Sequence, residues 1–225
     1  MQLGPESILV AVRVDFRDDV TAANVERSPL SGLPEVLPVT TPRLAGHVPG
    51  CPVASSAMRL FVAVWPPPAV VRVLSELERP EAPGLRWSVP EQWMVKLRPL
   101  GHVDRRVVAP LLKVLAAELD GAPAVCCVLG PAARRRYSGQ WLAVPVAGLD
   151  DLAAVVFEAT ERLVPVTHPQ PFQAELALAR GRVPKQLDGL PVSASWTARS
   201  VALVADRSSP RAPRYEDLGT FPLGS

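Results

Sequence analysis

Lysine is nearly missing from this chain. It has 3 lysines against 21 arginines among 225 residues, and 22 acidic residues bring the net charge to +2. That balance excludes a histone-like basic wrapper and an acidic tail protein. Arginine suits bidentate phosphate recognition, but here it is spread along the whole chain, as biased codon usage would also produce. Cysteine is scarce too: Cys51, Cys126 and Cys127 form no C-x-x-C pair, which excludes a disulfide framework and a zinc site of the usual spacing. Cys126 and Cys127 lie in an apolar run and read as buried thiols in a reducing compartment, so the cytoplasm is the expected location. No apolar run approaches the ~20 residues that cross a bilayer, and Arg13 and Asp15 interrupt the apolar patch near the start, so neither a membrane span nor a secretory signal is expected. Several motifs are absent: G-x-G-x-x-G, a Gly-Lys step, H-E-x-x-H and G-x-S-x-G. Dinucleotide, nucleoside-triphosphate, zinc-hydrolase and serine-hydrolase readings lose their main support. No cofactor or metal is implied.

Proline, by contrast, is plentiful at 26, which argues against a long helical bundle. Residues 1–57 carry seven prolines and few aromatics. They read as a disordered N-terminal extension, with Met58 as an alternative initiator of an over-extended frame. Residues 58–225 form the expected domain. There Leu60 to Trp65 is a strand, and Pro66-Pro67-Pro68 places proline at a helix start. Val70, Val73, Leu74 and Leu77 recur at helical spacing. Leu85 to Val89 and Trp93 to Arg98 are strands. Val107 to Leu119 is a helix with Asp104 as N-cap. Ala124 to Leu129 is a strand, Arg134-Arg135-Arg136 a basic turn, and Trp141 to Val146 another strand. Leu149 to Leu163 is a helix whose Asp150 and Asp151 suit its positive end. Ala174 to Ala179, Ser200 to Asp206 and Tyr215 to Leu223 complete the strands. Many strands and few helices predict an α+β fold rather than a doubly wound sheet.

The stretch Met58-Arg59-Leu60-Phe61-Val62-Ala63-Val64-Trp65-Pro66-Pro67 resembles the opening of the two-histidine (2H) phosphoesterases, and more narrowly of the bacterial RNA 2',3'-cyclic phosphodiesterases, also called 2'-5' RNA ligases. Arg86-Trp87-Ser88-Val89-Pro90-Glu91, Leu97-Arg98-Pro99-Leu100-Gly101, Phe172 to Arg180 and Arg214 to Leu223 agree in the same order. The resemblance covers Met58 to Leu223. It implies a bilobal fold, two pseudo-symmetric α/β lobes with antiparallel sheets around a central groove. In that family each lobe supplies one H-x-[ST] motif on a strand. Side chains at i and i+2 share a face, so each imidazole and hydroxyl reach one phosphate. One imidazole activates water and the other protonates the leaving ribose oxygen.

This chain lacks those side chains. Met94-Val95-Lys96 and Glu175-Leu176-Ala177 stand at the two motifs, and His47, His102 and His168 are followed two residues later by Pro49, Asp104 and Gln170. Acid–base groups contribute roughly 10²–10⁴ each, so the resemblance implies a weak or inactive pseudoenzyme that binds RNA ends or nucleotides as a monomer. Two alternatives stand beside it: an active RNA 2',3'-cyclic 3'-phosphodiesterase, and a structural protein-interaction module. In the catalytic positions Glu175 is a candidate base, or else pairs with Lys96 across the groove, and Met94 packs and cannot carry a proton. Lys96 is a candidate phosphate-binding point charge, and Arg98, two residues on, is expected on its face. Arg180, at an odd offset from Glu175, is expected to face away. The Arg134–Arg136 triplet reads as a solvated turn or as part of an RNA-binding rim. Trp87, Trp93 and Trp141 are candidates for base stacking, with core packing the alternative for Trp93. His102, in the loop after the first motif strand, and His168 are a conceivable displaced pair.

Overall fold

In a computed structural model, residues 57–166, 171–209 and 212–224 are described. The expectations for the leader, for His47 and for His168 lie outside them, apart from Ala57, the first residue of a strand. That strand, β1 (Ala57–Val64), leads to α1 (Pro68–Ser75), whose first turn accepts Pro68 because its N–H would be unsatisfied in any case. Then follow β2 (Leu85–Trp87), β3 (Val95–Asp104), α2 (Val108–Leu119), β4 (Val125–Leu129), β5 (Arg134–Arg136) and β6 (Trp141–Ala147). The chain continues through α3 (Asp150–Glu161), β7 (Glu175–Gly181), β8 (Ala194–Ala198), β9 (Ser200–Asp206) and β10 (Tyr215–Pro222). The strands pair antiparallel in the order β10-β9-β1-β3-β7-β6-β4-β8, with β2 on β7 and β5 on β6.

Amphipathic patterning decides which face the helices cover. Leu111, Leu115 and Leu119 of α2, Leu152, Ala153 and Val156 of α3, and Val70 and Leu74 of α1 are buried at helical spacing. They share one core with Val95 and Leu97 of β3 and Leu176 and Leu178 of β7. Among the described residues, the opposite face of the sheet carries no helix. A small second cluster of Ala63, Met94, Ala202 and Val204 lies there, edged by Trp65 and Tyr215.

Two halves meet at a single antiparallel pair, Val95 of β3 opposite Leu176 of β7. On one side β3 pairs with β1 and β1 with β9; on the other, β7 pairs with β6 and β6 with β5. Each half also carries the same irregularity. Val62 and Ala63 face Arg98 and Lys96, leaving Leu97 as an extra residue; Leu142 and Ala143 face Ala179 and Ala177, leaving Leu178 as one. A bulge puts two consecutive residues opposite one and reverses the alternation beyond it.

Several expectations are corrected. Arg134–Arg136 is a strand rather than a turn, because its backbone pairs with Trp141–Ala143. His102 lies inside β3, opposite Arg59, not in a loop after it. Cys127 is buried, with its thiol pushed up to about 11 by burial, but Cys126 points to the solvent side of β4. Strand β8 is not among the expected elements. Its sequence, Ala-Ser-Trp-Thr-Ala, has weak apolar alternation, and it forms by pairing with β4 while Trp196 and Ala198 enter the core.

Candidate functional site

The helix-free face is built by parity from the strands. β1 presents Arg59, Phe61 and Ala63, β3 presents Lys96 with Met94 just before the strand on the same face, and β9 presents Ala202, Val204 and Asp206. In the other half β7 presents Glu175, Ala177 and, past its bulge, Arg180. β6 presents Trp141, Ala143 and Pro145, and β5 presents Arg134 and Arg136. The halves match residue for residue in this register. Lys96 opposite Ala63 matches Ala177 opposite Ala143, and Phe61 opposite Pro99 matches Trp141 opposite Arg180.

In the first half, Met94 is 3 % exposed and packs on Ala63, Ala202 and Val204. Lys96 is half-buried, its ammonium 4.0 Å from the centroid of the Phe61 ring. Arg59 approaches the same ring at 5.5 Å and reaches Asp206 at 3.9 Å. Among the described residues no carboxylate lies within ion-pair distance of Lys96. Burial lowers the Lys96 ammonium to about 8; Arg59 and Arg180 push the same way, and Asp206 opposes them.

In the second half, Glu175 accepts a hydrogen bond from Arg136 Nε at 3.0 Å. Burial raises its carboxyl above the usual range, and Arg136 only partly offsets this. Arg180 lies 5.4 Å from the Trp141 ring centroid. Tyr137 meets Trp141 edge-on, with centroids 6.4 Å apart. Its phenol is raised by burial and by the nearby Glu175, against Arg136.

The structure thus brings Met94, Lys96 and Glu175 to one face but separates the others. Glu175 pairs with Arg136, not with Lys96. Arg98 is not on the Lys96 face: the Leu97 bulge turns it to the helices, where it is 1 % exposed. Its guanidinium donates to Phe157 O at 3.0 Å and to Thr160 Oγ1 and Val164 O, and it lies 4.7 Å from the Phe157 ring. Burial lowers it to about 10 despite Glu161. Arg98 therefore ties down the end of α3 and is not presented to the helix-free face. Trp93 is 1 % exposed in the main core with Arg79 stacked on it, the core-packing alternative. Trp87 is tied to Pro80 O through its indole N–H at 3.1 Å. Arg180, expected to face away, is returned to the face by the Leu178 bulge. Residue counting alone misses it, together with Arg59, Phe61 and Tyr137; Arg136 is expected only as part of a basic rim and not as the partner of Glu175. Among the described residues no group of three or more His, Cys, Asp or Glu could hold a metal ion.

No family model and no curated protein matches the chain. The fold is that of the 2H phosphoesterases: an antiparallel sheet in two matched halves with few helices, shared with solved members of that class. The chain is similar to TT0787 of Thermus thermophilus (TM-score 0.67, 23 % identity, covering 74 % of this chain and 98 % of that one). It is also similar to Escherichia coli LigT, in its apo form (TM-score 0.64, 22 % identity, 76 % and 100 % coverage) and complexed with 3'-AMP (TM-score 0.64, 20 % identity, 75 % and 99 %).

Proposed function

We propose that this protein is a non-catalytic 2H-fold protein that binds the phosphate of an RNA end or nucleotide on its helix-free face. One observation carries the reading. The two positions that hold imidazoles in the family the sequence resembles are filled by groups already engaged: Met94 in an apolar cluster and Glu175 in an ion pair. Beside them stands Lys96, a half-buried cation with no acidic partner among the described residues. A thioether moves no proton at working pH. The Glu175 carboxylate is engaged through Oε2 by Arg136 Nε and would have to give up that bond to take a proton there. A desolvated ammonium between Arg59 and Arg180 gains from an arriving anion, which restores the counter-charge it lacks. LigT of the same fold has been solved with 3'-AMP, ATP, NADP+ and phosphate, which supports the ligand class.

Titration calorimetry with a 2',3'-cyclic nucleotide and with inorganic phosphate tests this, alongside a turnover assay on a cyclic-phosphate RNA end. Binding without turnover is the expected result, with binding lost in Lys96→Met. Turnover abolished by Glu175→Ala would overturn it in favour of an active phosphodiesterase, a reading that the raised Glu175 carboxyl favours. No binding at all would leave a protein-interaction module.

A further inference from the structure

The link from β5 to β6 holds the only non-glycine residues with positive φ among those described. Tyr137, Ser138 and Gly139 take φ of 48°, 55° and 83° in succession. L side chains occupy that region only at a cost, and glycine or asparagine makes such a corner more easily. The surroundings enforce it. Arg135 donates through Nε to Val183 O at 3.1 Å and through its backbone N–H to Asp188 at 2.8 Å. Its guanidinium lies so close to Gly139 that a Cβ there would collide with it. Val183 N–H and Gly181 N–H then bind Gly139 O and Gln140 O, each at 2.9 Å.

Tyr137 remains 46 % exposed. The corner fixes where its ring stands. It sets the Tyr137 ring edge-on to Trp141, and Trp141 shares its face with Arg180, Ala177 and Glu175. Trp141 is also the counterpart of Phe61, which carries the Lys96 ammonium in the other half. One aromatic anchors a cation beside a small-residue floor, and its counterpart is extended by a second, exposed ring. Exposed aromatic rings with an adjacent guanidinium are the surface on which nucleobases stack.

We infer that the Tyr137–Trp141 corner is the stacking site for the base of the nucleotide or RNA end. The inference rests on the phosphate-binding reading above and adds where the base goes. The test compares inorganic phosphate, ribose 5-phosphate, adenosine and AMP by calorimetry at one salt concentration. AMP should bind about 10-fold or more tighter than ribose 5-phosphate, in the original protein and in Tyr137→Phe. In Tyr137→Asn that gap should close, while affinity for ribose 5-phosphate and the melting temperature hold or rise, since asparagine tolerates the left-handed backbone. A merely structural tyrosine would instead lower the melting temperature and leave the gap. Equal affinities for AMP and ribose 5-phosphate would overturn the stacking site and leave the phosphate reading intact. Binding of adenosine and AMP with no binding of phosphate or ribose 5-phosphate would support the stacking site and sink the phosphate reading. Failure of all four would overturn both.

Discussion

Met94 and Glu175 occupy matched positions in the two halves of the helix-free face, and so do Lys96 and Ala177. Yet the first half puts an apolar group where the second puts an anion, and a cation where the second puts a methyl. Neither Met94 nor Glu175 is a free proton-transfer group. The first half satisfies its unusual residue by packing, the second by an ion pair with Arg136. Matched positions on a shared face can thus be satisfied either by dispersion or by charge pairing within the same backbone scaffold. The two halves also differ one residue past their bulges. Arg98 faces Val62 and Ala179 faces Leu142 in the same register, but only Arg98 reaches across to α3.

Installing in both halves the side chains of the family the sequence resembles is the strongest way to break the contrast. The quadruple variant Met94→His, Lys96→Thr, Glu175→His, Ala177→Thr should gain cyclic phosphodiesterase turnover of at least about 10²–10⁴ over the original chain. Each half restored alone should gain almost nothing, because acid and base act as one unit. Turnover from the first half alone would mean that Glu175 already serves as its partner.

The next effect concerns stability. Arg98→Ala removes a buried guanidinium and strands three acceptors at the end of α3, and should destabilise by about 2–5 kcal/mol in a denaturant melt. Ala179→Gly at the matched position should cost about 1 kcal/mol. Equal losses would show that α3 does not depend on Arg98.

Lys96→Met should act with the opposite sign. The native ammonium is held at about 8, below its ordinary 10.5, so the unfolded chain binds the proton more tightly between those values. Stability therefore rises with pH across that window, and below it the charged Lys96 is a standing destabilisation. Lys96→Met should raise stability at pH 7 by on the order of 1–3 kcal/mol, flatten that slope, and remove phosphate binding. A gain in stability coupled to a loss of binding is what a binding group kept against the fold's interest would show.

How much of this was legible in the sequence follows from the range of each signal. Ser200 to Asp206 is a strand at those same bounds, and the stripe Leu111, Leu115, Leu119 is buried as its spacing predicts. Such patterns are local: each residue's burial follows from its neighbours three or two positions away. The face was half legible. Met94, Lys96 and Glu175 fall on it because the strands are regular up to those points. Arg98 and Arg180 depart from expectation in opposite directions for one reason, a bulge at Leu97 and another at Leu178. A leucine in a bulge and a leucine in a regular strand have the same identity and the same burial; only the partner strand's register tells them apart. Arg136 as the partner of Glu175 was likewise invisible, because it depends on β5 pairing with β6 and β6 with β7.

The smallest expected effect tests the second half of the contrast. Glu175→Gln keeps the shape and a hydrogen bond to Arg136 but removes the buried charge. Burial raises the Glu175 carboxyl more than Arg136 lowers it, so the native state holds that proton to higher pH than the unfolded chain does. Between the ordinary value of 4.5 and the raised one, the native state binds more protons and stability falls as pH rises. Below 4.5 the penalty is absent; above the raised value it is complete. The variant should therefore match the original chain at about pH 4 and exceed it at about pH 7, by under about 1 kcal/mol because the pair is partly exposed and screened. If Glu175→Gln is instead less stable at neutral pH, the Arg136 pair outweighs the desolvation. Glu175 would then be a structural anion, and the two halves would differ more than their shared register suggests.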